Sequence, residues 1–270
     1  VRLHSAKTLA LLAFLTLEPD TSHSREKLAA LLWGDSPESR ARQSLRQALY
    51  SLRRALGADP FVLEDGAVSY EACPSIWVDV LEFRALAADY AENSALYALR
   101  SAADLYRGML LEGVELSDCP AFDEWLFFQR DNLEQQAIGT LQSLVDGLID
   151  QRAYQDALGY VGRLVALDPL NEGAHRRSMR VYSAVGDRNS VRRQYRLCAD
   201  VLERELGLEP APETHELYRA LITVQPAPAV SPATPLPPRV DEHALSLPFL
   251  GRERDLETLE AQFDEAVRGQ

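Results

Sequence analysis

Residues 24–57 read SREKLAALLWGDSPESRARQSLRQALYSLRRALG. Ser24 stands just before an apolar-periodic run, where a hydroxyl can accept from the free N–H groups at a helix start. Glu26 follows in the first turn, where the helix dipole favours an anion. Gly34 and Asp35 break this helix after Trp33. Ser36 reads as the N-cap of the next helix, with Pro37 at its first position, where a missing N–H is no loss. That helix runs to Leu56 and stops at Gly57, a residue suited to the left-handed end of a helix. Two helices joined by a short turn predict a helix-turn-helix.

The second of these helices has two unlike faces. With Leu45 at 0° and about 100° per residue, Ala41, Ala48, Leu49, Leu52 and Leu56 all fall within about 60° of it. Opposite, at about 140–200°, lie Gln43, Gln47, Tyr50 and Arg54, flanked by Arg40, Arg46 and Arg53. No carboxylate interrupts this face between Glu38 and Asp59. A solvated helix usually mixes Glu with Arg as ion pairs. Arg and Gln without acids suit duplex DNA instead. Arg takes guanine O6 and N7 bidentately, Gln pairs with adenine N6 and N7, and a helix fits the major groove. Arg also neutralises phosphates and releases counterions.

Working outward, SAKTLALLAFLTL (5–17) is apolar nearly all round and reads as a buried helix ended by Pro19 and Asp20. On the other side, FVLEDGAVSY (61–70) has two short apolar runs about Asp65-Gly66, the signature of a β-hairpin. The order over 1–76 is three helices, then a hairpin. From Trp77 the pattern turns to continuous helix. Segments near 79–92, 94–107, 121–150, 153–167, 171–185, 188–206 and 213–222 show helical spacing, with turn marks at Gly108, Pro120, Pro169, Gly186 and Pro210. Helix starts near 153 and 188 echo the tetratricopeptide period of about 34 residues, and a generic helical bundle is the alternative. The expected fold is therefore mainly α, this helix-turn-helix unit followed by an all-α tetratricopeptide-like domain over 77–224. Residues 225–248 read as a proline-rich linker, and 249–270 as an extended LPFLG followed by an amphipathic helix.

Charge separates the same two parts. Residues 1–57 carry nine Lys or Arg against five Asp or Glu, while the whole 270-residue chain is at −13. A basic module on an acidic body is the electrostatic footprint of a DNA reader with an attached domain. Other classes find little support. No apolar run is long enough to span a bilayer, and the apolar start lacks the cleavage site of a signal peptide. Cys73, Cys119 and Cys198 lie far apart, which supports neither a disulfide framework nor a zinc ribbon and fits a reduced, cytoplasmic setting. The five histidines lie in separate segments, no glycine precedes a lysine, and no G-x-S-x-G occurs. No catalytic residue, metal ligand or cofactor is assigned.

At this point the residues reach a family. SREKLAALLWGDSPESRARQS followed by LRQALYSLRRALG, the hairpin and WVDVLEFRALA closely resembles the SARP-type (antibiotic-regulatory) bacterial transcriptional activators over about residues 1–222. The resemblance implies a response-regulator-like winged helix followed by a bacterial transcriptional activation domain. It implies a non-enzymatic activator that binds direct repeats in double-stranded promoter DNA as a head-to-tail pair, a homodimer on DNA, and recruits RNA polymerase, often for secondary-metabolite genes. It assigns Ser36–Leu56 as recognition helix, with Arg40, Arg42, Gln43, Arg46, Gln47 and Tyr50 near bases and adjacent phosphates, and Arg53 and Arg54 on phosphate at the groove edge. Ser24 and Arg25, at the start of the preceding helix, become phosphate contacts. The tail LPFLGRERDLETLEAQF resembles the segment before the P-loop of a signal-transduction NTPase module. Two departures stand against the family pattern: the usual N-terminal β-sheet before the first helix is absent, and the wing carries Glu64, Asp65 and Glu71 with no Lys or Arg. They motivate the alternative of a protein-interaction scaffold with an inactive DNA-binding domain, and they predict a wing that is mainly structural or that makes its contact through backbone N–H groups.

Two further clusters are singled out. Arg176, Arg177, Arg180, Arg188, Arg192, Arg193 and Arg196 face only Asp187 within 176–196. They read either as a surface for an acidic partner or as ion-pair partners for carboxylates such as Glu172, Glu203 and Glu205. Phe122, Trp125, Leu126 and Phe128 are expected in the core, and Trp33 and Trp77 as packing at element ends.

Overall fold

The computed structural model describes residues 3–223 apart from 4, 20, 94 and 117. The described residues fall within one compact unit, Val1–Gln225. The proline-rich linker and the tail that resembles an NTPase threshold lie outside the described residues.

Helix α1 (Ala6–Leu17) buries residues on most of its circumference, as an all-round apolar sequence must. A two-residue strand β1 (His23–Ser24) leads into α2 (Arg25–Trp33), which Ser24 caps by accepting from the Lys27 N–H at 3.1 Å. Helix α3 spans Glu38–Leu56. Its N-cap is Pro37, with no side-chain cap bond, so the expected cap at Ser36 is displaced by one residue. Pro37 is extended at φ −53°, ψ 140°, and Ser36 instead belongs to the turn, its N–H donating to the Trp33 carbonyl at 3.0 Å. Gly57 ends α3 at φ 67°, where a side chain would be strained, and its N–H returns to Arg53 O.

The wing is β2 (Phe61–Glu64) and β3 (Ala67–Tyr70), antiparallel, joined by Asp65 and Gly66 at positive φ. Positive φ at both central residues is the type I′ pattern that matches strand twist. β1 adds to the other side of β3, with His23 opposite Val68, giving the order β1-β3-β2. This third strand is not visible in the sequence.

Among the described residues seven helices follow: α4 (Asp79–Asn93), α5 (Leu96–Leu105), α6 (Pro120–Asp150), α7 (Tyr154–Leu167), α8 (Glu172–Ala184), α9 (Arg188–Leu206) and α10 (Pro212–Thr223). Each packs on its sequence neighbour from α4 to α10. Short connections force such neighbours antiparallel. α7 begins at Tyr154 and α9 at Arg188, in keeping with the tetratricopeptide period of about 34 residues. Leu99, Leu141, Leu144, Leu148, Val161 and Leu164 form the core between α5, α6 and α7.

The winged-helix core is not closed by its own residues. Leu116, Cys119, Phe122 and Leu126 join Leu11, Phe14, Leu28, Leu32, Leu45 and Leu52 in one buried cluster. The first two turns of α6 thus belong to the winged helix as much as to the helical body.

Candidate nucleic-acid interface

The apolar stripe of α3 is buried at Ala41, Leu45, Ala48, Leu49 and Leu52, with Leu56 packed on its edge. That burial fixes the rotation of the helix. It leaves Arg40, Gln43, Arg46, Gln47, Tyr50 and Arg54 exposed, with Tyr50 at 65%. None of these six side chains makes an ion pair or hydrogen bond among the described residues. Long donors held in water on one helix face are free to meet phosphate and base edges. At the C-terminal turn, Arg54 also sits where the helix dipole favours a cation.

Two arginines of the same helix are placed differently. The Arg42 guanidinium donates to Glu38 Oε1 and lies 3.4 Å from Glu26 Oε1 on α2. Arg53 is half-buried and donates to Asp59 Oδ1 at 2.9 Å, an oxygen that also accepts from the Phe61 N–H. Arg42 holds α2 against α3, and Arg53 ties α3 to the start of the wing. Their positive charge is already answered within the chain.

Ser24 and Arg25 are exposed at the start of α2. The Ser24 hydroxyl accepts the capping bond, and the Arg25 N–H donates to Gly66 O at 3.2 Å, which anchors the wing turn to the helix. At the other end of α3, a cleft of about 510 Å³ opens beside α1, lined by Ser5, Thr8, Tyr50, Ser51 and Arg54. Ser5 and Thr8 had not been singled out. The available signal was the first turn of α1, which carries no acid. The wing tip presents Glu64 and Asp65 to solvent.

Contacts from α6 and the segment before it brace the winged helix. Trp125 of α6 packs between Phe14 and Phe122, at 4.9 and 5.3 Å between ring centroids. Lys7 Nζ meets Asp118 Oδ2 at 2.6 Å, and the Cys119 thiol donates to Leu32 O at 3.1 Å. The Lys7 ammonium beside it holds the Asp118 carboxyl below the usual carboxylate range.

The second arginine cluster divides. Arg177 forks onto both oxygens of Asp146 on α6, at 2.8 and 2.7 Å, and Arg176 donates to Thr214 Oγ1 on α10 at 2.8 Å. Of the expected carboxylate partners, Glu172 instead accepts from the Ala211 N–H. Arg193 donates to Ser190 Oγ and its charge acts on Asp187, and Arg180, Arg192 and Arg196 stand exposed without an ion pair among the described residues.

Two aromatic expectations are corrected. Phe122 and Leu126 are buried, but Phe128 is 61% exposed, because it stands about 120° round α6 from the Phe122 stripe. Trp33 packs on the core, whereas Trp77 is 66% exposed at the head of α4. Among the described residues no helix is long and apolar enough to cross a membrane, and no group of three or more His, Cys, Asp or Glu could hold a metal.

A winged helix that presents an uncommitted Arg and Gln face, mounted on stacked helical hairpins, defines a transcriptional regulator. Comparison with known proteins agrees. Residues 78–222 match the bacterial transcriptional activator domain, and residues 2–64 the C-terminal domain of transcriptional regulatory proteins. The chain belongs to the bacterial transcriptional activator domain family. Both matching families are families of transcriptional regulators. It is 28% identical over 230 residues to the regulatory protein AfsR of Streptomyces coelicolor, covering 83% of this chain. AfsR of Streptomyces griseus is 26% identical over 220 residues, covering 81% of it. The chain spans 22% of the length of each of these relatives. In fold it resembles Mycobacterium tuberculosis EmbR, solved in complex with a low affinity phosphopeptide, with a TM-score of 0.60 at 20% identity over 84% of this chain and 61% of that one.

Proposed function

We propose that residues 1–76 bind promoter DNA in the cytoplasm through α3, and that the helical body of residues 77–224 holds the transcription machinery beside it. The supporting observation is the division within α3. Arg42 and Arg53 are answered by carboxylates of the chain, while Arg40, Gln43, Arg46, Gln47, Tyr50 and Arg54 share one exposed face with no internal partner. Arg46 and Gln47 lie where base edges are reached, and Arg40, Arg54 and Tyr50 where phosphates are. Ser24 and Arg25 add backbone contacts at the start of α2. The wing takes part through its backbone, since its tip is acidic. Direct repeats, a head-to-tail protein pair, RNA polymerase as partner and control of secondary-metabolite genes follow the family resemblance. Activation here is contact, not chemistry, and needs no cofactor.

The test is selection from a random duplex pool, then anisotropy titration of the selected sequence from about 50 to about 200 mM salt. A repeated motif with a steep salt slope is expected. Arg46→Ala and Gln47→Ala should each lose about 1–3 kcal/mol of discrimination at one base step. Arg42→Ala should leave base preference intact. No enrichment from a chain shown to be folded would overturn the reading in favour of a protein-interaction scaffold.

A further inference from the structure

The cleft between α1 and α3 is lined by donors that the fold itself leaves unused. Ser5 is the N-cap of α1, extended at φ −120° and ψ 123°, and its side chain makes no capping bond. The N–H groups of Thr8 and Leu9 return to Ser5 O at 3.1 Å, whereas those of Ala6 and Lys7 have no acceptor among the described residues. The first turn of α1 holds no acid. Free N–H groups at the positive end of a helix favour an anion.

Thr8 supplies a second, independent sign. It is only 7% exposed, it lines the cleft, and its hydroxyl has no hydrogen-bond partner among the described residues. Thr16, the other buried threonine of α1, donates to Leu12 O at 2.9 Å. A buried hydroxyl left without a partner costs stability, and the cleft is where a partner can reach Thr8.

Across the cleft, α3 contributes the Tyr50 phenol and the Arg54 guanidinium, both exposed and unpaired, while Ser51 keeps its hydroxyl on Gln47 O. Lys7 is paired with Asp118 and does not line the cleft. Among the described residues no carboxylate lines it either. Two hydroxyls, a phenol, a guanidinium and a helix start all offer hydrogens to one space. A phosphate, with several acceptor oxygens and negative charge, matches that set. At about 510 Å³ the cleft is roomier than a bare phosphate needs, so it admits one carried on a sugar.

We infer that this cleft is a phosphate seat, in which Ser5 and Thr8 of α1 bind the group that Tyr50 and Arg54 approach from α3, and that the phosphate comes from the backbone of the duplex. The source rests on the DNA-binding reading; the seat does not. Ser5 and Thr8 fix the register of the reader and carry no sequence information, as phosphate contacts do. α1 is then a DNA-contacting helix as well as a core helix.

Two measurements on the 270-residue chain separate the seat from its source. Line broadening of inorganic phosphate in phosphorus NMR reports the seat without DNA. Anisotropy on the selected duplex and on a scrambled one reports the source. Wild type should broaden the phosphate signal, and Ser5→Ala/Thr8→Val should not. Neither change removes a bond that the fold uses, so Tm and helical content should hold. The double variant should bind both duplexes about tenfold more weakly, with the ratio between them unchanged. Arg54→Gln should weaken both and lower the salt slope by about 1. A double variant indistinguishable from wild type in both assays would overturn the seat and leave the DNA-binding reading standing. A phosphate effect that the double variant loses, in a wild type that binds no duplex, would keep the seat for a free phosphate ester and overturn the duplex as its source.

Discussion

Trp125 of α6 donates its indole N–H to Glu18 Oε1, just past the end of α1, at 3.0 Å. The bond crosses from the helical body to the winged helix, and the same ring is wedged between Phe14 and Phe122. Trp125 therefore adds to the residues that close the winged-helix core from outside it.

Replacing that side chain should loosen the reader rather than the helical body. Trp125→Ala removes both ring contacts and the bond, and should destabilise by about 3 kcal/mol, the lower end for an aromatic truncation because Trp125 is only partly buried. Trp125→Phe keeps a ring and should lose about 1 kcal/mol. Urea unfolding of both variants checks this. A change under about 0.5 kcal/mol for the alanine variant would show that α6 does not support the winged helix.

How far this was legible follows from the range of each signal. The rotation of α3 was readable because six apolar residues repeat along one helix, and its end because Gly57 alone can take φ 67° without strain. The hairpin was readable from Asp65-Gly66. β1 was not, since two residues cannot display an alternating period. The pairing of Arg42 was half visible, as Glu38 lies four residues before it, but Glu26 comes from another helix. Phe128 was misread because aromatic density was taken for burial; its angle on the helix already set it apart from Phe122 and Leu126.

His23 predicts a pH dependence of winged-helix stability. It is buried against Phe14 at 4.8 Å between ring centroids, its Nε2 has no partner, and its Nδ1 lies 3.4 Å from Lys27 Nζ. Burial, with the Lys27 charge, pushes its pKa down from 6.5 against a smaller pull from Glu18. The unfolded chain therefore binds the proton first. The contribution is present above about pH 6.5 and is lost as pH falls from there toward the depressed folded value. Tm should drop more steeply between about pH 7.5 and about pH 5 in wild type than in His23→Phe. Parallel curves would remove His23 as the cause.

The three thiols should differ in reactivity. Cys198 is fully buried and pushed up to about 11, chiefly by burial. Cys119 is buried, raised for the same reason, and donates to Leu32 O. Cys73 is partly exposed, and the Ser75 hydroxyl beside it holds its pKa below the ordinary value. Since the thiolate is the nucleophile, iodoacetamide at neutral pH should label Cys73 alone in the folded chain and all three in denaturant. Mapping by mass spectrometry decides it, and early labelling of Cys119 would mean that α6 opens away from α2.

The divided arginine cluster makes the last prediction. Arg177 is mostly covered and forks onto Asp146, so its removal strands a carboxylate between α6 and α8. Arg180, three residues on, is exposed and paired with nothing described. Arg177→Ala should destabilise by about 1–2 kcal/mol, less than a fully buried pair because Asp146 keeps water on one side. Arg180→Ala should stay within about 0.5 kcal/mol of wild type. Thermal unfolding of the two variants separates a cation that holds the repeat together from one that only faces outward; equal losses would mean that burial does not sort this cluster.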